Sequence, residues 1–207
     1  MIFSKKITHC FVVHRMKTKR VLMLLIAFLI LFTSPVIKPS SFWELTFDWL
    51  SYFLIIIACL GRVFSAVFIC GTKNEKLSTQ GPFSIVRNPL YVFSFIGTIG
   101  FGLFSGHLVI LGLLLMLHFM YYPEIVKSEE DFLLKKFGSA YEDYQRRVPR
   151  WFPRTLKMQI PETTEIYPRI ILKNLRDSSL FFLIFPLVEM VEVLQAHHVL
   201  PALFSLY

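Results

Sequence analysis

Cysteine is scarce in this chain of 207 residues. Its three cysteines, Cys10, Cys59 and Cys70, do not follow the spacing of a metal-ligand motif, and two of them lie in or beside apolar blocks. We therefore expect neither a disulfide framework nor a metal site, and we interpret these side chains as small buried hydrophobes. The sequence also lacks internal repeats, which argues against a repeat protein. It lacks the paired, interrupted apolar segments of many transporters, which argues against a transporter.

Acidic residues are few, since 14 Asp and Glu stand against 22 Lys and Arg, for a net charge of +8. Such an excess is common in nucleic-acid-binding proteins, but the sequence contains no motif of that class. The basic residues lie instead in the segments between apolar blocks. Retention of Lys and Arg on the cytosolic side of a membrane produces this distribution, so we expect no nucleic-acid partner.

Apolar residues are abundant: they make up 55% of the sequence, which has 22 Phe and a mean hydropathy of +0.57. They form continuous blocks, which are typical of helices that span a lipid bilayer. The sequence therefore predicts an all-α, polytopic transmembrane helix bundle within a single membrane domain of residues 1–207. About five spans are predicted, at residues 21–37, 49–70, 89–104, 107–123 and 179–206.

The basic residues also predict the orientation of these spans. Lys and Arg are concentrated before residue 21, within residues 71–88 and within residues 124–178, whereas Lys38 lies on the opposite side. These three segments are therefore predicted to face the cytosol, in a multi-pass protein of an inner or organelle membrane. Two residues join the third and fourth spans, and we expect the glycines of this hairpin to let its two helices approach closely.

The first cytosolic segment leads into the third span. Gly81 and Pro82 predict a turn, and Asn88 and Pro89 suit the N-cap and the first position of a helix. Arg87 stands immediately before this helix start. Its guanidinium and the free N–H groups of the first turn are suited to hold an anion such as a carboxylate. The alternative is a capped span whose arginine reaches the lipid headgroups.

The second cytosolic segment begins at Glu124. Residues 129–137 have helical composition, and Gly138 is a natural helix stop. Ser139 and Glu142 predict a capping box at the start of a further short helix. On that helix, three apolar or aromatic side chains recur at steps of three and four residues and are expected to share one face. They are Tyr141, Tyr144 and Val148.

The order of these short motifs is more specific than any one of them. Gly-Pro is followed by Arg-Asn-Pro-Leu-Tyr, an apolar hairpin, Glu-Glu, Phe-Gly, Tyr-x-x-Tyr and Arg-Val-Pro. Over residues 50–153 this series resembles the isoprenylcysteine carboxyl methyltransferase and phospholipid methyltransferase superfamily, and most closely its bacterial members. The resemblance implies a methyltransferase core over those residues, with residues 154–207 as an extension that contains a further span. For a bacterial member it implies the inner membrane.

The resemblance also implies a cytosol-facing site for S-adenosylmethionine and a lipophilic acceptor that enters from the bilayer. It assigns catalytic roles to Arg87 and Glu130 and places Arg147 nearby, where it is assigned to the acceptor. Arg62 is assigned to the acceptor on a separate ground, because it is an ionisable residue at apparent membrane depth. Asn88 stands where many members have histidine, and an amide cannot take a proton. The residues assigned to the cofactor are Gly81, Pro82, Arg87, Asn88, Pro89, Tyr91, Glu129, Glu130, Tyr141 and Tyr144.

Several alternatives stay open in the sequence. Glu129 and Glu130 also suit a solvated acidic helix, and the tyrosines suit interfacial packing. Arg62 either pairs with Glu189 or Glu192 beside the acceptor path or snorkels to the membrane surface. The acceptor is either a carboxylate, as in isoprenylcysteine, or a lipid amine. Two competing functions are a sterol-reductase-like enzyme that uses NADPH and a non-catalytic membrane scaffold.

Overall fold

The computed structural model describes residues 21, 24–34, 42–69, 76–179, 182, 184–201 and 204–205. Predictions on the basic N-terminus, Lys38, Cys10 and Cys70 fall outside these residues. A short parallel strand pair joins β1 (Thr33–Ser34) to β2 (Phe204–Ser205). The helices are α1 (24–32), α2 (Phe42–Val67), α3 (Pro89–Phe104), α4 (Leu108–Phe137), α5 (Ser139–Arg147), α6 (Pro168–Ser179) and α7 (Ile184–Ala196).

Two described helices are long and apolar enough to cross a membrane: Leu45–Val67 within α2, and α4. The helix α3 is apolar but has 16 residues, and α7 has 13. A straight span needs about 20 residues. Apart from the two-residue strand pair, the described secondary structure is helical, as predicted. The number of five spans stays a prediction.

Two of the glycines of α3 serve a different contact from the one predicted. A Cβ atom at Gly97 would lie 3.1 Å from Ala58 Cβ, and one at Gly100 would lie 2.9 Å from Ile55 Cγ1. Both neighbours belong to α2, so these glycines allow close approach of α2 and α3 rather than of α3 and α4. Within the predicted hairpin, Gly102 does pack against Leu111 of α4, whereas Gly112 has no such neighbour within 4 Å.

The two glycines Gly100 and Gly112 give a matched test of this packing. We expect Gly100→Ala to lower the free energy of unfolding by about 1–3 kcal/mol, because the added methyl group overfills the α2–α3 contact. Gly112→Ala meets open space and is expected to be neutral or slightly stabilising, since alanine favours helix. Thermal unfolding of both variants in detergent checks this, and equal melting temperatures would contradict the assigned contact.

The helix α4 is longer than the predicted fourth span. It passes through Pro123 without interruption and ends at Phe137, so the apolar span and the acidic segment form one helix of 30 residues. The predicted fourth span ended at residue 123, and the helix continues although proline lacks an N–H group and crowds the preceding turn. The continuous helix carries Glu129 and Glu130 on the same rigid element as the apolar residues before Pro123.

Gly138 ends α4 with φ 52°, as its sequence position predicted, and its N–H group donates to Leu134 O at 2.9 Å. The predicted capping box is wrong, because Gly138 is also the N-cap of α5 and Ser139 is already the first helical residue. No side-chain cap bond forms. The Gly138 carbonyl instead accepts N–H donors from Tyr141 and Glu142.

The extension packs against the membrane core. In α6, the Ser178 carbonyl accepts a bond from Cys59 Sγ of α2 at 3.4 Å. In α7, Phe185 stacks on Tyr52 with ring centroids 4.5 Å apart and contacts Phe104 edge-on at 4.2 Å. These contacts join α7 to both α2 and α3 in one buried apolar cluster.

Candidate active site

A cavity of about 390 Å³ lies where residues 76–87 meet α4 and α5. This volume falls within the range of small-molecule and cofactor sites. Four side chains that the sequence analysis assigned to the cofactor line it together: Arg87, Glu129, Tyr141 and Tyr144. Polar or aromatic lining residues that the sequence analysis did not single out are Lys76, Ser78, Phe83, Ser128 and Phe132.

The Gly81–Pro82 turn supports the segment of residues 76–87 that lines this cavity. Gly81 has φ 59°, and its N–H group donates to Gln159 O at 2.8 Å. The Ser84 hydroxyl donates to Gly81 O at 2.7 Å and accepts the Gln159 N–H at 2.9 Å. Gly81 and Pro82 are buried and are not among the described lining residues, so their contribution is to fix the chain ahead of Arg87.

The carboxylate of Glu130 is the centre of a buried polar cluster, and its side chain is 4% exposed. Asn88 Nδ2 donates to Oε1 at 3.0 Å, and Arg87 Nε lies 3.3 Å from the same oxygen. Arg150 Nε donates to Oε2 at 3.0 Å, and its Nη2 contacts that oxygen as well. Both carboxylate oxygens are thus occupied, and Glu130 is not among the described residues that line the cavity.

Arg87 connects this cluster to the cavity. Its N–H group donates to Pro149 O at 2.9 Å, and Nη1 donates to Gln145 O at 3.2 Å. These bonds hold the residues before α3 against the chain that follows α5. Asn88 is the N-cap residue of α3 with Pro89 after it, as predicted, but its side chain makes no cap bond. The amide is directed to Glu130 instead, because it satisfies a buried carboxylate there.

Arg150 belongs to this cluster and was not predicted. It follows Val148 and Pro149, directly after the Arg-Val-Pro motif, and the motif alone does not separate it from Arg147. Arg147 is exposed and its Nε donates to Asp143 O of its own helix at 3.3 Å. The hydrogen bonds to the Glu130 carboxylate raise the pKa of Arg150, so its guanidinium stays charged.

Tyr141 and Tyr144 share one buried face of α5, as predicted, with ring centroids 5.9 Å apart. The Tyr144 hydroxyl donates to Phe83 O at 2.7 Å and so ties α5 to the turn after Gly81. Burial raises the pKa of Tyr141 to about 12 and raises that of Tyr144 further. Both phenols therefore stay neutral hydrogen-bond donors at physiological pH.

A second cavity, of about 480 Å³, lies among α1, α2, α3 and α4 and has a mainly apolar wall. Arg62 reaches into it, and Arg62 Nη1 donates to the Ser94 hydroxyl. Of the two glutamates considered as partners of Arg62, Glu189 accepts the Tyr52 hydroxyl at 3.1 Å, and none of the ion pairs between described residues joins it to Arg62.

Tyr91 lies between the two cavities. Its ring packs edge-on against Tyr122, which lines the second cavity, with centroids 5.3 Å apart. Its hydroxyl interacts electrostatically with Glu129, which lines the first cavity, and with Arg62. Of the residues assigned to the acceptor from sequence, Arg62 lines the second cavity, whereas Arg147 is not among the described lining residues of either cavity.

Comparison with known proteins identifies the family. The profile of the phospholipid methyltransferases matches residues 22–140, more than half of the chain. The nickel-cobalt-cadmium resistance protein NccN of Alcaligenes xylosoxydans xylosoxydans is 32% identical over 164 residues, 76% of each chain. The cobalt-zinc-cadmium resistance protein CzcN of Cupriavidus metallidurans is 31% identical over 152 residues, 73% of this chain and 70% of the relative.

The protein-S-isoprenylcysteine O-methyltransferase of Schizosaccharomyces pombe is 32% identical over 81 residues, which are 39% of this chain and 34% of that protein. No solved structure matches this chain significantly. The family profile covers α2, α3 and α4 and ends within α5, so it includes most of the residues around the first cavity. The chain belongs to the phospholipid methyltransferase family, as the order of its motifs predicted.

Proposed function

We propose that this protein is an S-adenosylmethionine-dependent methyltransferase that modifies a lipophilic acceptor in the membrane. The observation that carries the proposal is the first cavity, where Arg87, Glu129, Tyr141 and Tyr144 meet beside the apolar helices. Family membership supports the reaction class, and the apolar helices α2 and α4 support its membrane setting.

The lining residues suit the groups that this cofactor carries. Glu129 is a hydrogen-bond acceptor for the ribose hydroxyls or the amino group, and Lys76 and Arg87 offer positive charge to the carboxylate. The aromatic faces of Tyr141 and Tyr144 attract the sulfonium through cation–π interaction. Glu130, with both oxygens occupied by Asn88, Arg87 and Arg150, acts as a positioning residue for this wall.

Methyl transfer from a sulfonium is an in-line displacement, so its main requirements are alignment and exclusion of water. The buried α5 face and the continuous α4 helix supply a rigid wall for alignment. We further propose that the chain crosses the membrane several times and that the first cavity faces the cytosol. The segments that line this cavity are rich in Lys and Arg, and such residues are retained preferentially on the cytosolic side.

Ligand-dependent stabilisation tests the proposal against the reductase alternative. At about 100 times its Kd, a ligand raises the free energy of unfolding by about 2.7 kcal/mol. For S-adenosylhomocysteine we expect a corresponding rise of about 5–10 °C in the melting temperature of the detergent-purified protein. NADPH at the same concentration is expected to give none. Stabilisation by NADPH alone would support the reductase, and stabilisation by neither would overturn the proposed function.

A further inference from the structure

The second cavity contains one charged side chain among mainly apolar ones. Among the described residues that line it, Arg62 is the one with a formal charge, and no Asp or Glu is present. Phe93, Phe101 and Leu114 are among the apolar side chains around it. A buried cation in such surroundings is costly unless an anion or hydrogen-bond acceptors neutralise it.

The guanidinium of Arg62 is only partly satisfied. Its Nη1 donates to the Ser94 hydroxyl, whereas its Nε is buried without a hydrogen-bond partner in the part of the chain that the structure describes. None of the ion pairs between described residues involves Arg62. An unpaired donor on a buried cation is an open position for an anionic ligand, and guanidinium binds carboxylates with particular geometric fit.

We propose that the second cavity is the acceptor site and that it selects a lipophilic carboxylic acid over a lipid amine, with Arg62 binding the carboxylate. This inference rests on the proposed function. An ammonium headgroup in the same place would face Arg62 with no acidic side chain among the described lining residues. Two like charges in an apolar site repel strongly, so the same cavity disfavours an amine.

The placement of the two cavities suits transfer between them. Tyr91 packs against Tyr122 of the acceptor cavity and interacts with both Arg62 and Glu129. A carboxylate bound at Arg62 is therefore adjacent to the side chain that separates it from the first cavity. The apolar side chains of the cavity then offer a place for the lipid tail.

The chemistry of this step needs no general base. A carboxylate oxygen attacks the methyl carbon, a C–O bond forms, and the C–S bond breaks with its electron pair remaining on sulfur. The sulfonium becomes a neutral thioether, the acid becomes a neutral methyl ester, and no proton is released. Because the ester has lost its negative charge, its attraction to Arg62 falls after transfer, which favours product release.

Methyl transfer to acid–amine pairs with identical tails tests this inference. The probes are labelled S-adenosylmethionine with N-acetyl-S-farnesylcysteine and S-farnesylcysteamine, and with palmitic acid and hexadecylamine. We expect the wild-type protein to methylate an acid of the panel, with label released by mild alkali as for an ester, and to leave the amines unmodified. Preferential methylation of an amine would overturn the inference. So would the failure of protein that binds the cofactor to methylate any of the four probes.

Variants of Arg62 separate charge from folding. Arg62→Gln is expected to reduce acid methylation at least about 30-fold, because a buried charge partner is lost. Arg62→Lys should retain part of the activity. Arg169→Gln, which removes an exposed positive charge outside the described lining of both cavities, should stay within about twofold of the wild type. Binding of S-adenosylhomocysteine is expected to be equal in all three, and it distinguishes failure here from failure of the proposed function.

An Arg62→Gln variant that binds cofactor and methylates the acid at the wild-type rate would contradict the assignment of Arg62. Wild-type protein that binds no cofactor would overturn the proposed function and this inference together.

Discussion

Replacing Glu130 with alanine is expected to destabilise the protein by about 3 kcal/mol or more. The change leaves the Arg87 and Arg150 guanidinium groups without their shared carboxylate and removes the acceptor of the Asn88 amide. Breaking a buried ion pair costs about 3–5 kcal/mol. We expect the lower part of that range, because the Arg150 side chain is 42% exposed and water compensates part of its loss.

Thermal unfolding of Glu130→Ala and of Asp131→Ala measures this effect. Asp131 is the next residue of α4 and is exposed, so its replacement should change stability by less than about 0.5 kcal/mol. Glu130→Gln keeps an acceptor for Asn88 but not the charge, and we expect it to fold with weakened cofactor binding. Equal stability of the Glu130 and Asp131 variants would show that the cluster does not support this region.

Replacing Gly81 with alanine is the second change with a large expected effect. Gly81 has φ 59°, which disfavours any residue with a Cβ atom, and that atom would lie 2.5 Å from the ring of Phe68. Strain and overpacking together are expected to cost about 2–4 kcal/mol. Because the turn fixes the chain before Arg87, cofactor affinity should fall with stability.

Gly138 is the matched control for this prediction. It also has a positive φ, of 52°, but a Cβ atom there would have no neighbour within 4 Å. Gly138→Ala should therefore show the backbone strain alone, about 1–2 kcal/mol. Adding Phe68→Ala to Gly81→Ala is expected to improve cofactor affinity relative to Gly81→Ala. Identical losses for the Gly81 and Gly138 variants would contradict the contact with Phe68.

Local sequence signals predicted the local features of this protein. Asn88 and Pro89 open α3, Gly138 ends α4, and Tyr141 and Tyr144 share a face of α5, because each depends on near neighbours in the chain. The order of the motifs predicted the family, because several short motifs in a fixed order are more specific than any one of them.

Partners that are distant in sequence could not be predicted in the same way. Asn88 is 42 residues from Glu130, and Arg150 is 20 residues from it across the end of α4 and all of α5. Their contact depends on how α4 packs beside α3 and on where the chain after α5 returns to them. For the same reason, the sequence did not show that Gly97 and Gly100 face α2 whereas Gly102 faces α4.

Pro123 and Glu130 illustrate two further limits. The apolar span was predicted to end at Pro123, but α4 continues to Phe137, because one lost hydrogen bond is a small part of a 30-residue helix. Glu130 was assigned to the cofactor with Glu129, yet adjacent residues on a helix point about 100° apart. Glu129 lines the cavity, whereas Glu130 points into the polar cluster.

Equilibrium binding of labelled S-adenosylmethionine to the detergent-purified protein tests the central claim most directly. The wild-type protein should bind it saturably, and Glu129→Gln should weaken binding about 10- to 100-fold, since a hydrogen bond to a charged group is lost. Glu142→Gln, on the exposed side of α5, should leave the affinity unchanged. Folded wild-type protein without saturable binding, or a Glu129→Gln variant with wild-type affinity, would contradict the assignment of the first cavity to the cofactor.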